Sequence, residues 1–179
     1  MRLLAFSGSL RKASTNTAVL EALGRIAPAG VEIAIYREMG ALPHFNPDDD
    51  AAADTPPPAV ISLRTLVGAS DGLLVAAPEY AHGVPGALKN VLDWLVASLE
   101  FPDKPVALIN AVPRARHAQA ALCEILTTMS ARLIAEAFIL PPLTGQDGDA
   151  DRIVANPALA QALRAGLDRF TEAIRGDAA

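Results

Sequence analysis

Residues 72–80 read Gly-Leu-Leu-Val-Ala-Ala-Pro-Glu-Tyr, and they give the clearest indication of the fold. Its first six residues are almost wholly apolar, as expected for a β-strand that is buried on both faces. Pro78 ends the strand, because proline has no N–H to donate. From Val84 to Leu99 the apolar residues recur every three or four positions, which predicts a helix. A buried strand followed by an amphipathic helix is typical of a parallel sheet covered by helices.

The same order of strand and helix continues on both sides of this stretch. Further strands are predicted at residues 3–6, 31–36, 105–110 and 133–140, and further helices around residues 19–26, 60–67 and 117–129. Residues 42–58 are rich in Pro and Asp and predict a long loop. Asn156 is a good N-cap with Pro157 in the first helical position, so a last helix is predicted to begin there and to end at Gly176.

Five strand–helix units in a row predict an α/β fold of one domain over residues 1–179. The expected architecture is a flavodoxin-like three-layer sandwich, in which a five-stranded parallel sheet of order 2-1-3-4-5 carries helices on both faces. Ligands in such folds bind beyond the carboxyl ends of the strands, at the switch between strands 1 and 3. The loops after strands 1, 3 and 4 are therefore the places to look for a site.

Composition limits the classes of partner. The formal net charge of −5 argues against broad binding to nucleic acid or to anionic membranes. No apolar run approaches the roughly 20 residues that cross a bilayer, and one cysteine leaves no internal disulfide. We therefore expect a soluble, cytoplasmic protein.

The loop after strand 1 concentrates groups that bind a phosphate. Ser9, Ser14, Thr15 and Asn16 offer hydroxyl and amide groups, and Arg11 can bind a phosphate with two parallel hydrogen bonds. The start of the following helix adds free N–H groups and a favourable dipole. The alternative is an ordinary helix start, with Ser14 as the N-cap and Arg11 in solvent. Neither a GxGxxG nor a Walker sequence occurs, so an FMN phosphate is the better match.

The loop after strand 3 is suited to a flat aromatic ligand. Pro78, Glu79, Tyr80, Ala81 and His82 are predicted to line a flavin ring, with Tyr80 as an aromatic contact and the backbone meeting the polar edge of the ring. Glu79 is a candidate general base, although a structural role is favoured. Hydride transfer to a flavin needs no side-chain base, so no catalytic residue is assigned.

The histidines give no metal-binding signal in the sequence. His44, His82 and His117 are widely separated and lack the spacing of metal ligands, so no metal site is predicted. A lone loop histidine such as His82 is more often solvated or structural than catalytic.

The two loops together resemble one known family. Gly8-Ser9-Leu10-Arg11-Lys12 with Ser14 and Asn16, followed by Pro78-Glu79-Tyr80 and by residues 85–94 (Pro-Gly-Ala-Leu-Lys-Asn-Val-Leu-Asp-Trp), are similar to the NADPH-dependent FMN reductases. The resemblance implies FMN held at Ser9, Arg11, Ser14 and Asn16, with Pro78, Glu79 and Tyr80 along its ring. It also implies hydride transfer from NADPH or NADH to flavin N5, and onward electron transfer to a quinone, flavin, azo compound or metal oxyanion. Members are commonly homodimers or homotetramers.

Two positions depart from the family pattern. Many members have Asn after Pro-Glu-Tyr, where this chain has Ala81. Many have a glycine-rich loop after strand 4, whereas residues 110–117 are stiffer and more basic. Arg114 and Arg116 are candidate contacts for the nicotinamide cofactor or the acceptor, and the alternative is a solvated basic turn that opens the helix.

Two other functions stay open at this point. One is a flavodoxin-like FMN electron carrier or redox sensor that does not use NAD(P)H. The other is a cofactor-free enzyme of similar fold, such as a nucleoside or sugar transferase with Glu79 as its nucleophile.

Overall fold

The computed structural model describes residues 1–51, 56–111, 116–135, 137–143 and 148–176. The described residues form a sheet of five parallel strands in the order β2-β1-β3-β4-β5. The strands are β1 (Arg2–Ser7), β2 (Glu32–Ile35), β3 (Gly72–Ala76), β4 (Pro105–Ile109) and β5 (Arg132–Leu133). The predicted fold class and strand order are confirmed.

Helices connect the strands and cover the sheet. They are α1 (Thr15–Ile26), α2 (Pro47–Ala51), α3 (Pro58–Gly68), α4 (Gly86–Leu95), α5 (Arg116–Thr128), α6 (Ala150–Ala155) and α7 (Pro157–Gly176), with a 3-10 turn at Glu38–Ala41. None of the helices in the described ranges is long and apolar enough to span a membrane.

Alternate residues of the buried strands point to opposite faces of the sheet, and this alternation divides the core into two layers. In β1, Leu3 and Ala5 pack with buried residues of α1, α6 and α7. Leu4 and Phe6 pack on the other face with buried residues of α3, α4 and α5. Every residue of β3 is buried, which explains why this strand is apolar throughout.

Helix α7 begins as its sequence predicts. The Asn156 side-chain oxygen accepts hydrogen bonds from the backbone N–H groups of Ala158 (3.2 Å) and Leu159 (3.4 Å). The helix packs closely on the sheet, because a Cβ atom placed on Gly72 of β3 would come within 2.9–3.2 Å of Ile174 and Phe170. A Cβ atom at position 72 would therefore crowd the side chains of α7, and glycine avoids this crowding.

Two elements end earlier than the sequence predicts. The last strand was predicted over residues 133–140, but β5 pairs with β4 only through Arg132 and Leu133. The chain turns after Ile134, whose carbonyl accepts a hydrogen bond from the Ala137 N–H. The predicted helix at residues 84–99 ends at Leu95, and Leu99 is 93% exposed.

Two short helices have no counterpart in the prediction. Helix α2 lies within the predicted loop at residues 42–58. Helix α6 begins after Asp149, whose side chain accepts a 2.9 Å hydrogen bond from the Arg152 N–H.

The sheet places the loops after β1 and β3 side by side, because these two strands are paired. The backbone N–H of Gly8 donates a 2.8 Å hydrogen bond to the carbonyl of Ala76 and joins the two loops where they leave the sheet. This is the switch point at which ligands bind in open parallel sheets.

Candidate functional site

The start of α1 presents free backbone donors at the switch point. Ser14 is the N-cap, and its side-chain oxygen accepts a 3.4 Å hydrogen bond from the Thr17 N–H. The N–H groups of Thr15 and Asn16 have no hydrogen-bond partner among the residues that the structure describes. These groups and the positive end of the helix dipole favour an anion at this position.

Asn16 is a residue of this loop that buries an unpartnered polar atom. Its side chain is 4% exposed, and its Oδ1 atom is buried with no hydrogen-bond partner. A buried polar atom without a partner costs about 1–3 kcal/mol. Rotation of the amide by 180° would exchange Oδ1 and Nδ2, so Asn16 can present either an acceptor or a donor to a ligand. A phosphate ester with a hydroxylated chain offers partners for both.

A basic pocket of about 190 Å³ flanks the same loop. Arg11, Lys12 and Arg37 line it, together with Ser9. Arg37 forms a 2.9 Å ion pair with Glu21. Arg11 and Lys12 are exposed and form no ion pair with any residue in the described ranges.

The pocket reaches the first turn of α1, where Thr17 lines it. Ser9 and Arg11 also line the pocket, whereas Ser14, Thr15 and Asn16 are not among its lining residues. The structure thus brings the five predicted phosphate-binding residues to one end of the sheet. Sequence reasoning missed Arg37, which follows the carboxyl end of β2 and is placed there by the same strand order.

Gly8 is explained by close packing and not by an unusual backbone conformation. Its φ is outside the left-handed region, which among the described glycines is adopted by Gly30. A Cβ atom on Gly8 would lie 3.0 Å from the Ala77 Cβ and 3.2 Å from the Leu88 side chain. Gly8 is therefore required by close packing of the loop after β1 against the end of β3.

The loop after β3 folds into a tight turn at residues 80–83. The backbone N–H of Tyr80 donates to the Gly83 carbonyl (3.2 Å), and the Gly83 N–H donates to the Tyr80 carbonyl (2.9 Å). Ala81 and His82 between them have φ of +48° and +59°. Two consecutive left-handed residues are characteristic of a type I′ turn, which favours Asn-Gly over Ala-His.

The turn leaves donors and an aromatic ring facing outward. The Tyr80 side chain is 58% exposed. The N–H groups of Ala81 and His82 form no hydrogen bond within the described part of the chain. A Cβ atom on Gly86, at the start of α4, would meet nothing within 4 Å. The loop therefore offers both an aromatic contact and unused backbone donors.

Glu79 joins this loop to α5. Its Oε2 atom accepts hydrogen bonds from the backbone N–H groups of His117 (2.8 Å) and Ala118 (3.0 Å). The hydrogen bond from Ala118 is the main cause that lowers the pKa of the Glu79 carboxyl below its ordinary value of 4.5, and the contact with His117 lowers it further. A carboxylate that caps a helix in this way is poorly suited to act as a base or nucleophile.

The same two segments bring two histidines together. The rings of His82 and His117 are stacked, with centroids 4.1 Å apart and planes 22° from parallel. The spacing of these two histidines does not indicate a contact, because they are far apart along the chain. The Glu79 contact with α5 is what brings them together, and it has no local signature in the sequence.

Of the two remaining predicted contacts, one lies at the start of α5. Arg116 is the first residue of α5 and is exposed. Arg114 lies outside the described residues. Trp94 of α4 is fully buried, and its indole N–H donates a 2.8 Å hydrogen bond to the Pro43 carbonyl.

Known proteins resemble this chain in sequence and in structure. The NAD(P)H-dependent FMN reductase of Pseudomonas aeruginosa is 37% identical over 113 residues, which are 62% of this chain and 60% of that protein. The quinone reductase of Escherichia coli is 35% identical over 108 residues, which are 60% of this chain and 55% of that protein. The matched segments thus span less than two thirds of these relatives' own lengths.

Among solved structures, a flavoenzyme NAD(P)H:(acceptor) oxidoreductase from Paracoccus denitrificans superimposes with a TM-score of 0.77 at 28% identity, over 96% of this chain and 97% of that one. The family described as NADPH-dependent FMN reductase matches residues 1–143, which include the strands, the loop after β1 and the loop after β3. On this match, the chain belongs to the NADPH-dependent FMN reductase family.

Proposed function

We propose that this chain binds FMN and passes electrons from NADPH or NADH to a small acceptor. Membership of the family supports this proposal, and so do the relatives named as an NAD(P)H-dependent FMN reductase and a quinone reductase. We propose quinones first as the acceptor class, with flavins, azo compounds and metal oxyanions as further candidates.

The observation that carries the proposal is the set of unpartnered polar groups at the start of α1. The buried Asn16 side chain and the free N–H groups of Thr15 and Asn16 fit a phosphate and its hydroxylated chain. Ser9, Arg11 and Ser14 complete the proposed phosphate site. Arg11 contributes a charge-assisted hydrogen bond, since it forms no ion pair with the described residues.

The loop after β3 is proposed to hold the ring. Pro78 and the exposed Tyr80 ring supply apolar contact, and the N–H groups of Ala81 and His82 supply donors for the polar edge. Glu79 acts on the loop rather than on the ring, because its carboxylate is bound to the backbone of α5. The turn at residues 80–83 thereby stays in a fixed position relative to α5.

Bound FMN supplies the redox chemistry, since its ring accepts hydride from a nicotinamide and gives electrons to the acceptor. The protein's part is to bind, orient and control access, so no side-chain base is assigned. Arg116 lies on the side of the site where α5 begins and is proposed to attract the phosphates of the nicotinamide cofactor.

We further propose that the protein acts as a homodimer or homotetramer in the cytoplasm. Val96 (62% exposed) and Leu99 (93% exposed) follow α4 and offer apolar surface for contact between copies. Light scattering coupled to gel filtration measures the mass in solution. A monomer at all concentrations would contradict the assembly, without bearing on FMN binding.

An absorbance spectrum of the purified protein, before and after NADPH is added without oxygen, tests the activity. A yellow protein that bleaches, and that oxidises NADPH steadily once a quinone is added, is the expected result. Arg25→Ala removes a charge at the far end of α1 and serves as the control for variants of Arg11.

Two other results would point to different functions. A yellow protein that bleaches with dithionite but not with NADPH or NADH would favour an electron carrier or sensor. A colourless protein that does not take up added FMN would exclude both flavin functions.

A further inference from the structure

The loop after β3 and the first turn of α5 bring three metal-ligating side chains together. One nitrogen from each of His82 and His117 and one carboxylate oxygen of Glu79 lie within 4.8 Å of one another. We propose that Glu79, His82 and His117 bind a divalent transition-metal ion of the late first row, for which Zn²⁺ is the most practical probe. This proposal replaces the expectation from the sequence that the chain has no metal site.

The three side chains have the right chemistry for such an ion. Two imidazole nitrogens and one carboxylate oxygen form a donor set that catalytic zinc sites use, with water in the fourth position. Imidazole also suits copper and nickel, whereas Mg²⁺ and Ca²⁺ prefer oxygen ligands alone. The exposure of His82 and His117 leaves room for water to complete the coordination.

The backbone of the site is already held in place. Glu79 is fixed by its two hydrogen bonds to the start of α5. His82 lies in a turn whose backbone is left-handed at Ala81 and His82, and its ring is stacked on that of His117. Backbone strain of this kind costs free energy and is commonly found at functional sites. A metal ion that bridges the two segments would give this strained turn a function.

The side chains need a small rearrangement to bind. Bonds of 2.0–2.2 Å in a tetrahedral site place ligand atoms about 3.4 Å apart, which is closer than the 4.8 Å limit within which the three atoms lie. The nitrogen lone pairs lie in the planes of the rings, and because these planes are only 22° from parallel, the lone pairs do not converge on one point while the rings stay stacked. Because both rings are exposed, rotation about their side-chain bonds is rapid, and the stack would give way to two converging rings.

Calorimetric titration of Zn²⁺ into the full-length purified protein, without a polyhistidine tag, tests the proposal. One equivalent should bind, and Mg²⁺ should give no signal. His82→Ala and His117→Ala should each raise the Kd by more than the roughly 10- to 100-fold that loss of an outer-shell partner causes. His44→Ala is the matched control, because His44 is the remaining one of the three histidines in the sequence and is not part of the cluster.

Two further measurements do not depend on reductase activity. X-ray absorption of the zinc complex should show two imidazole nitrogens and at least one oxygen. Excess Zn²⁺ should raise the Tm of the wild type and of His44→Ala, but not that of His82→Gln, which keeps a side chain of similar size. The proposal is overturned by an all-oxygen shell, by unchanged affinity in both cluster variants, or by an equal loss in His44→Ala. None of these outcomes bears on whether the protein reduces FMN with NADPH.

Discussion

The carboxylate of Glu79 accepts a 2.8 Å hydrogen bond from the backbone N–H of His117, so the loop after β3 is tied to the first turn of α5. Two consequences follow from this one contact. Glu79, a candidate general base in the sequence, is bound to the backbone of α5, and two distant histidines become neighbours.

Glu79→Gln is expected to lower the Tm at neutral pH by a few degrees, because it removes a negative charge from the start of α5. The lowered pKa of Glu79 means that its stabilisation is fully present above the ordinary value of 4.5. It is lost as pH falls through the lower pKa of the folded state. The difference in unfolding free energy between wild type and variant should therefore shrink in acid, as denaturant titrations across pH would measure.

Glu124→Gln provides the control for this charge effect. Glu124 is exposed on α5, and the substitution removes the same charge away from the helix start. A difference that stays constant from neutral to acid pH in Glu79→Gln would contradict the assigned role of the carboxylate.

Ala81→Asn is expected to raise the free energy of unfolding by about 1 kcal/mol. A left-handed backbone costs most L residues roughly 1–2 kcal/mol, and Asn tolerates it better than Ala does. The φ of Ala81 is +48°. Ala120→Asn, at an exposed position of α5, should instead lower stability by several tenths of a kcal/mol through helix propensity. Urea denaturation of both variants measures the sign of each change in the free energy of unfolding. A destabilised Ala81→Asn variant would contradict the left-handed backbone at this position.

Two glycine-to-alanine substitutions in helices should act in opposite directions. A Cβ atom on Gly24 of α1 would meet nothing within 4 Å, so Gly24→Ala should stabilise by about 0.4–1 kcal/mol. A Cβ atom on Gly166 of α7 would lie 2.3 Å from the ring of Phe138. Gly166→Ala should therefore destabilise by about 1–3 kcal/mol.

The double variant Gly166→Ala, Phe138→Leu tests the cause of that clash. If the aromatic ring is the obstacle, the two substitutions together should cost clearly less than the sum of their separate effects. Strict additivity in thermal or urea unfolding would show that the two residues do not interact.

Asn16→Leu should separate stability from ligand binding. The substitution removes a buried oxygen without a partner, so the protein without FMN should gain about 1 kcal/mol or more in unfolding free energy. The same change should weaken FMN binding, measured by fluorescence quenching of the flavin. A variant that binds FMN as the wild type does would remove Asn16 from the proposed phosphate site.

Arg11→Ala should weaken FMN binding by about 1.5–3 kcal/mol, which is roughly 10- to 150-fold in Kd. The loss reflects a charge-assisted hydrogen bond to the phosphate. Riboflavin, which lacks the phosphate, should bind the variant and the wild type equally. An equal loss for riboflavin would place Arg11 elsewhere on the cofactor.

Much of the fold could be predicted because its signals are local. The apolar runs that became β1, β3 and β4 are buried on both faces, and Asn156 marks the start of α7 by its own side chain. The last strand was predicted too long because Ala137 and Phe138 are buried without pairing to β4. A segment buried in the core is apolar whether or not it forms a strand. Apolar sequence alone therefore cannot distinguish a strand from an irregular segment in the core.

The same contrast between local and distant signals applies to the candidate site. The residues of the loop after β1 could be predicted as a group because they are adjacent in the chain and strand order fixes their position. The contact of Glu79 with α5, and the histidine stack that depends on it, is formed between two distant segments. Nothing in the spacing of His82 and His117 indicates it.

The packing of α1 with α6 and α7 has a consequence for synthesis of the protein. The residues that cover helix α1, among them Ile153, Leu163 and Leu167, are translated more than 120 residues after it. Until α6 and α7 have been synthesised, Val19 and Leu23 lack their packing partners from these two helices. Between the synthesis of α1 and that of α6 and α7, the nascent chain thus exposes the apolar face of α1. A chaperone that binds apolar segments can bind there.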